Sequence, residues 1–168
     1  MDFELTTVEK ADLADYKKDM QQAFQTGAEK EYGRIDTEIL PEADINRSLC
    51  AEGSVALKAV ADGRIIGGAI IVINGTRGHL DFLYVKNGVQ NRGLGQQIWF
   101  EIEKRYKEVK LWETCTPYFE KRNLHFYINC LKFAAVEFFN PRHPDPQYPA
   151  DSSQMEEDDY FFRFEKRL

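Results

Sequence analysis

Apolar and polar positions recur along this chain with two different periods, and each change of period marks a predicted element. Residues 2–7 (DFELTT) alternate apolar and polar, which predicts an edge strand. In VEKADLADYKKDMQQAFQTG, Val8, Leu13, Tyr16, Met20 and Phe24 recur at steps of three to five residues. That spacing predicts an amphipathic helix stopped near Gly27, followed by a polar, irregular segment, AEKEYGRIDTEILP. Pro41 then opens a short helical stretch, PEADINRSL, at a first-turn position where its missing N–H does no harm.

From residue 54 the period becomes two, and SVALKAV, RIIGGAIIVI and HLDFLYV read as three strands. Ala61-Asp62-Gly63 separates the first pair and Asn74-Gly75-Thr76-Arg77 the second. Asp-Gly and Asn-Gly supply the positive φ angles of tight hairpins, so the three strands form an antiparallel meander. Residues 93–107 return to helical spacing, with Leu94, Ile98, Ile102 and Tyr106 on one face. VKLWETC is a predicted strand, EKRNLHFYINCLK a helix and FAAVEFF a strand. NPRHPDPQYPADSSQMEEDD, rich in proline and closing on a charge run, is a predicted loop, and DYFFRFEKRL a final strand. No repeat, low-complexity tract or linker divides residues 1–168, which predicts one α+β domain with a mostly antiparallel sheet and helices on its faces.

Charge and cysteine content narrow the function classes. A net charge of -6 argues against a nucleic-acid partner, which calls for a basic face to neutralise phosphates. Cys50, Cys115 and Cys130 are odd in number and lack CxxC spacing, the pattern of thiols in a reducing cytosol rather than of a disulfide frame or a zinc site; no metal is expected. Cys130, with no base beside it in the sequence pattern, reads as a core thiol. The opening MDFELTTVEK has no apolar run, so it is no signal peptide, and no apolar stretch is long enough to span a bilayer. These features predict a cytoplasmic protein, in which the Asn74-Gly75-Thr76 sequon is incidental.

Gln90-Asn91-Arg92-Gly93-Leu94-Gly95 places two glycines where a helix begins, although glycine in a helix costs about 1 kcal/mol relative to alanine. A helix N-terminus offers unpaired N–H groups and partial positive charge, glycine admits a pyrophosphate close to the backbone, and Arg92 adds a cation. Two readings stand: a phosphate cradle, or glycines that ease a loop and let the helix pack closely on the sheet. The spacing is neither G-x-x-x-x-G-K-[ST] nor G-x-G-x-x-G after a parallel first strand, which excludes a P-loop and disfavours a dinucleotide fold.

Q-N-R-G-L-G resembles the Q/R-x-x-G-x-G/A motif of the GCN5-related N-acetyltransferase (GNAT) superfamily, and it falls where that family carries it, between the fourth strand and the third helix. The order of elements matches over nearly the whole chain. Arg122 to Asn129 with Phe133 resembles the family's N-x-x-x-x-Y/F-Y-x-x-x-G-F segment, although Lys132 replaces the usual glycine and the Asn-to-Tyr spacing is one residue shorter. The resemblance implies the three-layer α/β fold of that family, a mixed, mostly antiparallel sheet of about seven strands with helices on both faces.

It implies chemistry as well: transfer of an acetyl group from acetyl-CoA, a co-substrate, to the primary amine of a small molecule or peptide. By resemblance, the backbone of Leu83, Tyr84 and Val85 bonds the pantetheine arm as an added strand would, and the N–H groups of Gln90, Asn91, Arg92, Gly93, Leu94, Gly95 and Gln96 take the pyrophosphate. Tyr127 matches the family's general acid, which protonates the departing thiolate; an unperturbed pKa of about 10 keeps it a donor at neutral pH. Its bland alternative is a core aromatic. Asn123, at i−4, either bonds the cofactor arm or is a surface polar residue. The base that takes the amine's proton is sought on the fourth strand. His79 and Asp81 share a face there with Leu83 and Val85 if the strand is regular, a bulge would reverse the parity, and water is the third option.

The resemblance also places the acceptor against the segment between the first two helices and the loop before the last strand. Glu29, Glu31, Asp36 and Glu38 lie in the first, and Glu156 to Asp159 in the second. Carboxylates there favour a cationic amine, or they form an acidic solvated surface. A non-catalytic acyl-CoA-binding module of the same fold is the alternative function. Many relatives are homodimers, and alternation in the last strand sets Tyr160, Phe162 and Phe164 opposite Phe161, which gives a partner an aromatic face.

Overall fold

Two tight turns organise the middle of the chain. In this computed structural model, which describes residues 1–89, 93–147 and 160–168, β2 (Ser54–Ala61), β3 (Arg64–Asn74) and β4 (Arg77–Val85) follow one another through two-residue connections. Asp62 and Gly63 both take positive φ, 49° and 71°, as a type I′ turn requires; the second turn needs it only at Gly75, 62°. β2 pairs antiparallel with β3, and β1 (Glu4–Thr7) pairs antiparallel with β2. The whole sheet has the order β1-β2-β3-β4-β5-β7-β6, with β5 at Leu111–Pro117, β6 at Ala134–Phe139 and β7 at Phe161–Arg167. β4 and β5 are parallel and the other reported pairs antiparallel, so the sheet is mixed and the fold is α+β.

The chain divides into two compact units: residues 1–74 with 80–107, and residues 75–79 with 108–168. The first contains α1 (Leu13–Tyr32), α2 (Glu42–Cys50) and α3 (Leu94–Arg105). Its core joins Tyr16 and Met20 of α1 and Ile45 of α2 to Leu40, Ile70 and Tyr84. The Tyr16 hydroxyl reaches the carbonyls of Leu57 (3.1 Å) and Ala69 (3.0 Å), so this buried tyrosine is satisfied by the β2–β3 backbone. Two adjacent glycines in β3 show how the helices are layered. A Cβ on Gly67 would meet Ile98 of α3 at 3.1 Å, and one on Gly68 would meet Tyr16 of α1 at 2.8 Å. Successive strand residues face opposite ways, so α1 and α3 cover opposite faces.

α1 does not stop at Gly27. It continues to Tyr32 and ends at Gly33, whose φ is 79°. One internal glycine costs about 1 kcal/mol, which the helix-favouring Ala28-Glu29-Lys30-Glu31 and the burial of Ala28 offset. The side chain of Gln25 then holds the following segment along the helix. Its Nε2 donates to the carbonyls of Ile35 (3.3 Å) and Thr37 (3.2 Å), and its Oε1 accepts from the N–H of Ile39 (3.0 Å). Pro41 is the N-cap of α2, one position before the first turn.

In the second unit β7 lies between β5 and β6, antiparallel to both, and Arg77–His79 pair in parallel with Leu111–Glu113. Gly78 is fixed by close approach: a Cβ there would lie 2.5 Å from the Trp112 ring. Ring contacts of Phe162 with Phe164 (6.2 Å) and of Phe138 with both Tyr160 (5.9 Å) and Phe162 (5.0 Å) bear out the aromatic side of the last strand. The helix expected over 120–132 is divided: α4 is Lys121–His125, and Phe126–Cys130 form a π-helical turn. Among the described residues no helix is long and apolar enough to cross a membrane.

Candidate active site

The turn after β4 sets up the start of α3. Asn87 donates from Nδ2 to Thr26 Oγ1 (2.9 Å) and to the Gln22 carbonyl (3.3 Å), which ties this turn to α1. The Val89 N–H bonds the Lys86 carbonyl (3.2 Å), and Gly88 takes φ 83°. Gln90, Asn91 and Arg92 lie outside the described residues. Gly93 is the N-cap of α3 at φ 85°, and the first helical bond runs from the Gln97 N–H to its carbonyl (2.9 Å). The glycine is therefore required by its left-handed backbone as well as by any ligand's approach. Among the described residues other than its chain neighbours, no heavy atom lies within 4 Å of where its Cβ would stand, and as N-cap it brings no side chain to the terminus. Leu94 is buried and anchors the helix to the core, while Gly95 and Gln96 complete a first turn whose N–H groups precede the helical ladder.

β4 carries Leu83, Tyr84 and Val85, the residues expected to meet the pantetheine arm. The Lys86 N–H bonds the Ile66 carbonyl at 2.9 Å, so strand alternation turns the N–H groups of Leu83 and Val85 away from β3. Tyr84 points into the core, edge-on to Tyr16 with ring centroids 5.5 Å apart. Its hydroxyl is buried with no hydrogen-bond partner among the described residues, and burial, helped by the charge of Asp19, pushes its pKa up. Strict alternation fails just before it. Asp81 accepts a 2.5 Å bond from Ser48 Oγ on α2, yet its neighbour Phe82 packs against Phe24 on α1 at 5.9 Å. Both adjacent residues reach the α1–α2 side, so the regular parity that would group Asp81 with Leu83 and Val85 does not hold. His79, half-buried, sits opposite Glu113 in the parallel ladder.

In the second unit Tyr127 lies in the π-helical turn, its ring against Phe164 (5.7 Å), Phe133 (6.1 Å) and Phe126 (5.8 Å). Thr114 of β5 hydrogen-bonds its hydroxyl. Asn123, one helical turn earlier, donates from Nδ2 to Thr116 Oγ1 (3.1 Å). A helical i, i+4 pair thus meets an i, i+2 pair of buried threonines, which fixes the two side chains relative to one strand. Burial pushes the Tyr127 phenol up to about 12, and the Thr114 bond pulls part of that shift back. The group holds its proton throughout the neutral range and is a donor there. Sequence reading missed Thr114 and Thr116; their alternation in LWETCTP was the available signal.

Several acidic residues assigned to an acceptor surface have partners of their own. Glu38 accepts from Gln21 Nε2 (2.8 Å), Glu29 from Gln25 Nε2 (3.1 Å), and Asp36 pairs with Arg34 (3.2 Å); Glu31 is exposed. Glu156 to Asp159 lie outside the described residues. Among the described residues no group of three or more His, Cys, Asp or Glu is arranged to hold a metal ion.

Comparison with known proteins gives a consistent picture. The sequence profile of the Acetyltransferase (GNAT) family matches residues 15–133. The uncharacterised protein YrkN of Bacillus subtilis (strain 168) is 37% identical over 169 residues, covering 96% of this chain and 91% of its own. The crystal structure of the PaiA N-acetyltransferase of Thermoplasma acidophilum, in complex with coenzyme A, matches with a TM-score of 0.69 and 17% identity over 100% of both chains. The ribosomal-protein-S18-alanine N-acetyltransferase of Escherichia coli matches at 0.68 and 13% identity over 99% of this chain and 94% of its own. A Bacillus subtilis acetyltransferase in complex with CoA matches at 0.66 and 16% identity over 99% of each. At such identities the structures establish a shared fold.

Proposed function

This chain belongs to the acetyltransferase (GNAT) family, and from that premise we propose that it is an acetyl-CoA-dependent N-acetyltransferase acting on the primary amine of a small molecule or peptide. The observation that carries the reading is the placement of the Tyr127 phenol, packed among Phe126, Phe133 and Phe164 with Thr114 at its hydroxyl. A side chain kept neutral and fixed by a hydrogen bond suits an acid that acts as negative charge develops on a leaving group.

The residues at the start of α3 fit a pyrophosphate: an N-cap without a side chain, open space beside it, and the N–H groups of a helix's first turn. Gln90, Asn91, Arg92, Gly93, Leu94, Gly95 and Gln96 would hold it there, and the N–H groups of Leu83 and Val85 would take the pantetheine arm. Asn123 gives one Nδ2 hydrogen to Thr116, which leaves its second N–H and Oδ1 for the arm. Bound acetyl-CoA would supply the acetyl group as a thioester. His79, Asp81 or water would take the amine's proton, and Tyr127 Oη would donate toward the departing sulfur. A cytoplasmic setting and a homodimer complete the reading; exposed Val136 and Phe138 on β6 support the dimer, and a monomer in micromolar sedimentation would remove it.

Calorimetric titration with acetyl-CoA, followed by thiol release against a panel of primary amines, tests this function. Binding together with amine-dependent release is expected. Binding without release on any amine would favour a non-catalytic acyl-CoA-binding module, and no binding would remove the cradle.

A further inference from the structure

The π-helical turn brings Cys130 to His125, a pair that an α-helix would hold apart, while Asn129 keeps its i+4 place beside the same imidazole. His125 Nε2 lies 3.8 Å from Cys130 Sγ, and the Asn129 amide lies 2.9 Å from His125 Nδ1. In an α-helix, residue i+5 is displaced by roughly 140° from residue i, so thiol and imidazole would not meet. Here the Leu131 N–H bonds the Phe126 carbonyl at 2.9 Å, the i→i+5 register of a π-turn, which sets residues five apart over one another. Lys132 Nζ donates to the Asn129 carbonyl at 2.6 Å and secures the end of the turn. Cys130 is half-buried and has a base beside it, which corrects the reading of it as a core thiol; His125 and Asn129 are exposed.

A thiol, an imidazole at hydrogen-bonding distance and an amide on the far ring nitrogen form a nucleophile, a base and an orienting group. We propose that Cys130 is a nucleophilic site for thiol–disulfide exchange with small-molecule disulfides, with His125 as its general base and Asn129 as a positioning residue. Sγ attacks one sulfur of the disulfide while its proton passes to Nε2. The S–S bond breaks, a mixed disulfide forms on Cys130, and the departing thiolate takes the proton from the imidazolium. One thiol is released, Cys130 is oxidised and the small disulfide is reduced, so no other oxidant is needed. The base needs Nε2 unprotonated. A half-turn of the Asn129 amide provides that, because its oxygen then accepts from Nδ1–H. This site does not depend on the acetyl-transfer reading.

The test has internal controls, because Cys50 and Cys115 are both exposed whereas Cys130 is half-buried. Exposure alone would have Cys130 react last. The folded protein is treated with limiting glutathione disulfide, and the three sites are followed over time by mass spectrometry. Cys130 is expected to react first, by at least about tenfold, below the typical range for general acid–base catalysis. In urea the three rates should converge. His125→Ala should abolish the advantage with the fold intact by circular dichroism. Asn129→Asp, which keeps an acceptor oxygen, should retain more of it than Asn129→Leu. Reaction at Cys130 no faster than at Cys50 and Cys115, or an unchanged rate in His125→Ala, would overturn the proposal.

Discussion

Replacing Tyr127 by phenylalanine removes one oxygen and keeps the ring that packs against Phe164 and Phe133. Its cost in stability is the Thr114 hydrogen bond, about 1 kcal/mol. Its effect on turnover follows from proton affinities. A phenol pushed up to about 12 is a weak acid toward an alkyl thiolate, whose conjugate thiol has an ordinary pKa of about 8.5. Complete transfer is uphill by about 3.5 units, close to 5 kcal/mol. In the proposed role Tyr127 would therefore act mainly by hydrogen bonding to charge that develops in the transition state, an interaction worth about 1.5–3 kcal/mol. That corresponds to roughly 10- to 100-fold in rate, at or below the low end of general acid catalysis. Thiol release at saturating acetyl-CoA should show kcat falling by that factor while KM for acetyl-CoA changes little. The sign of the pH effect is also fixed. A raised phenol pKa keeps the donor protonated beyond the ordinary value of 10, so any loss of rate from this group should begin between pH 10 and about 12. The stability contributed by the neutral phenol is present below pH 10 and lost over the same window. A phenylalanine variant with the wild-type rate would make Tyr127 a core aromatic.

Five further substitutions check the packing and the cradle. Gly93→Ala should cost about 1–2 kcal/mol, because the φ of 85° is left-handed and there is no clash to add. Gly93→Glu should lower acetyl-CoA affinity well beyond the alanine variant, and equal affinities by calorimetry would remove this position from the site. Gly78→Ala forces a Cβ to 2.5 Å from Trp112 and should lower stability by about 1–3 kcal/mol in chemical denaturation. Tyr16→Phe removes the hydroxyl that donates to the Leu57 and Ala69 carbonyls and should cost about 1 kcal/mol, whereas Tyr84→Phe, which removes a hydroxyl with no described partner, should be neutral or stabilising. A destabilised Tyr84→Phe would mean that the hydroxyl has found a partner, such as a buried water.

The features legible in the sequence are those set by local rules. Period-two alternation and the Asp-Gly and Asn-Gly turns are properties of neighbouring residues, and β2 to β4 follow them. The glycine at the start of α3 was equally visible, although its left-handed φ gives it a conformational reason that the motif alone does not reveal. α1 was misjudged because a glycine stops a helix only when its context agrees. The long-range bonds of Gln25 that hold the following segment cannot be seen in a local window. The π-turn was hidden for a similar reason, since a change of helical register has no composition of its own. It decides that His125 meets Cys130. Thr114 and Thr116 emerge only when β5 is set beneath α4 and the π-turn. The family motif was thus readable in the sequence, whereas the groups that tune and aim the proposed acid required three dimensions.

The central claim is acetyl transfer to an amine, and product stoichiometry tests it most directly. With isotope-labelled acetyl-CoA and the best amine of the panel, labelled N-acetyl product should appear one-for-one with free CoA. Its rate should fall roughly 10- to 100-fold in Tyr127→Phe, the factor a hydrogen bond to developing charge supplies. CoA release without acetylated amine, or no release from any amine by a protein that binds acetyl-CoA, would contradict the account.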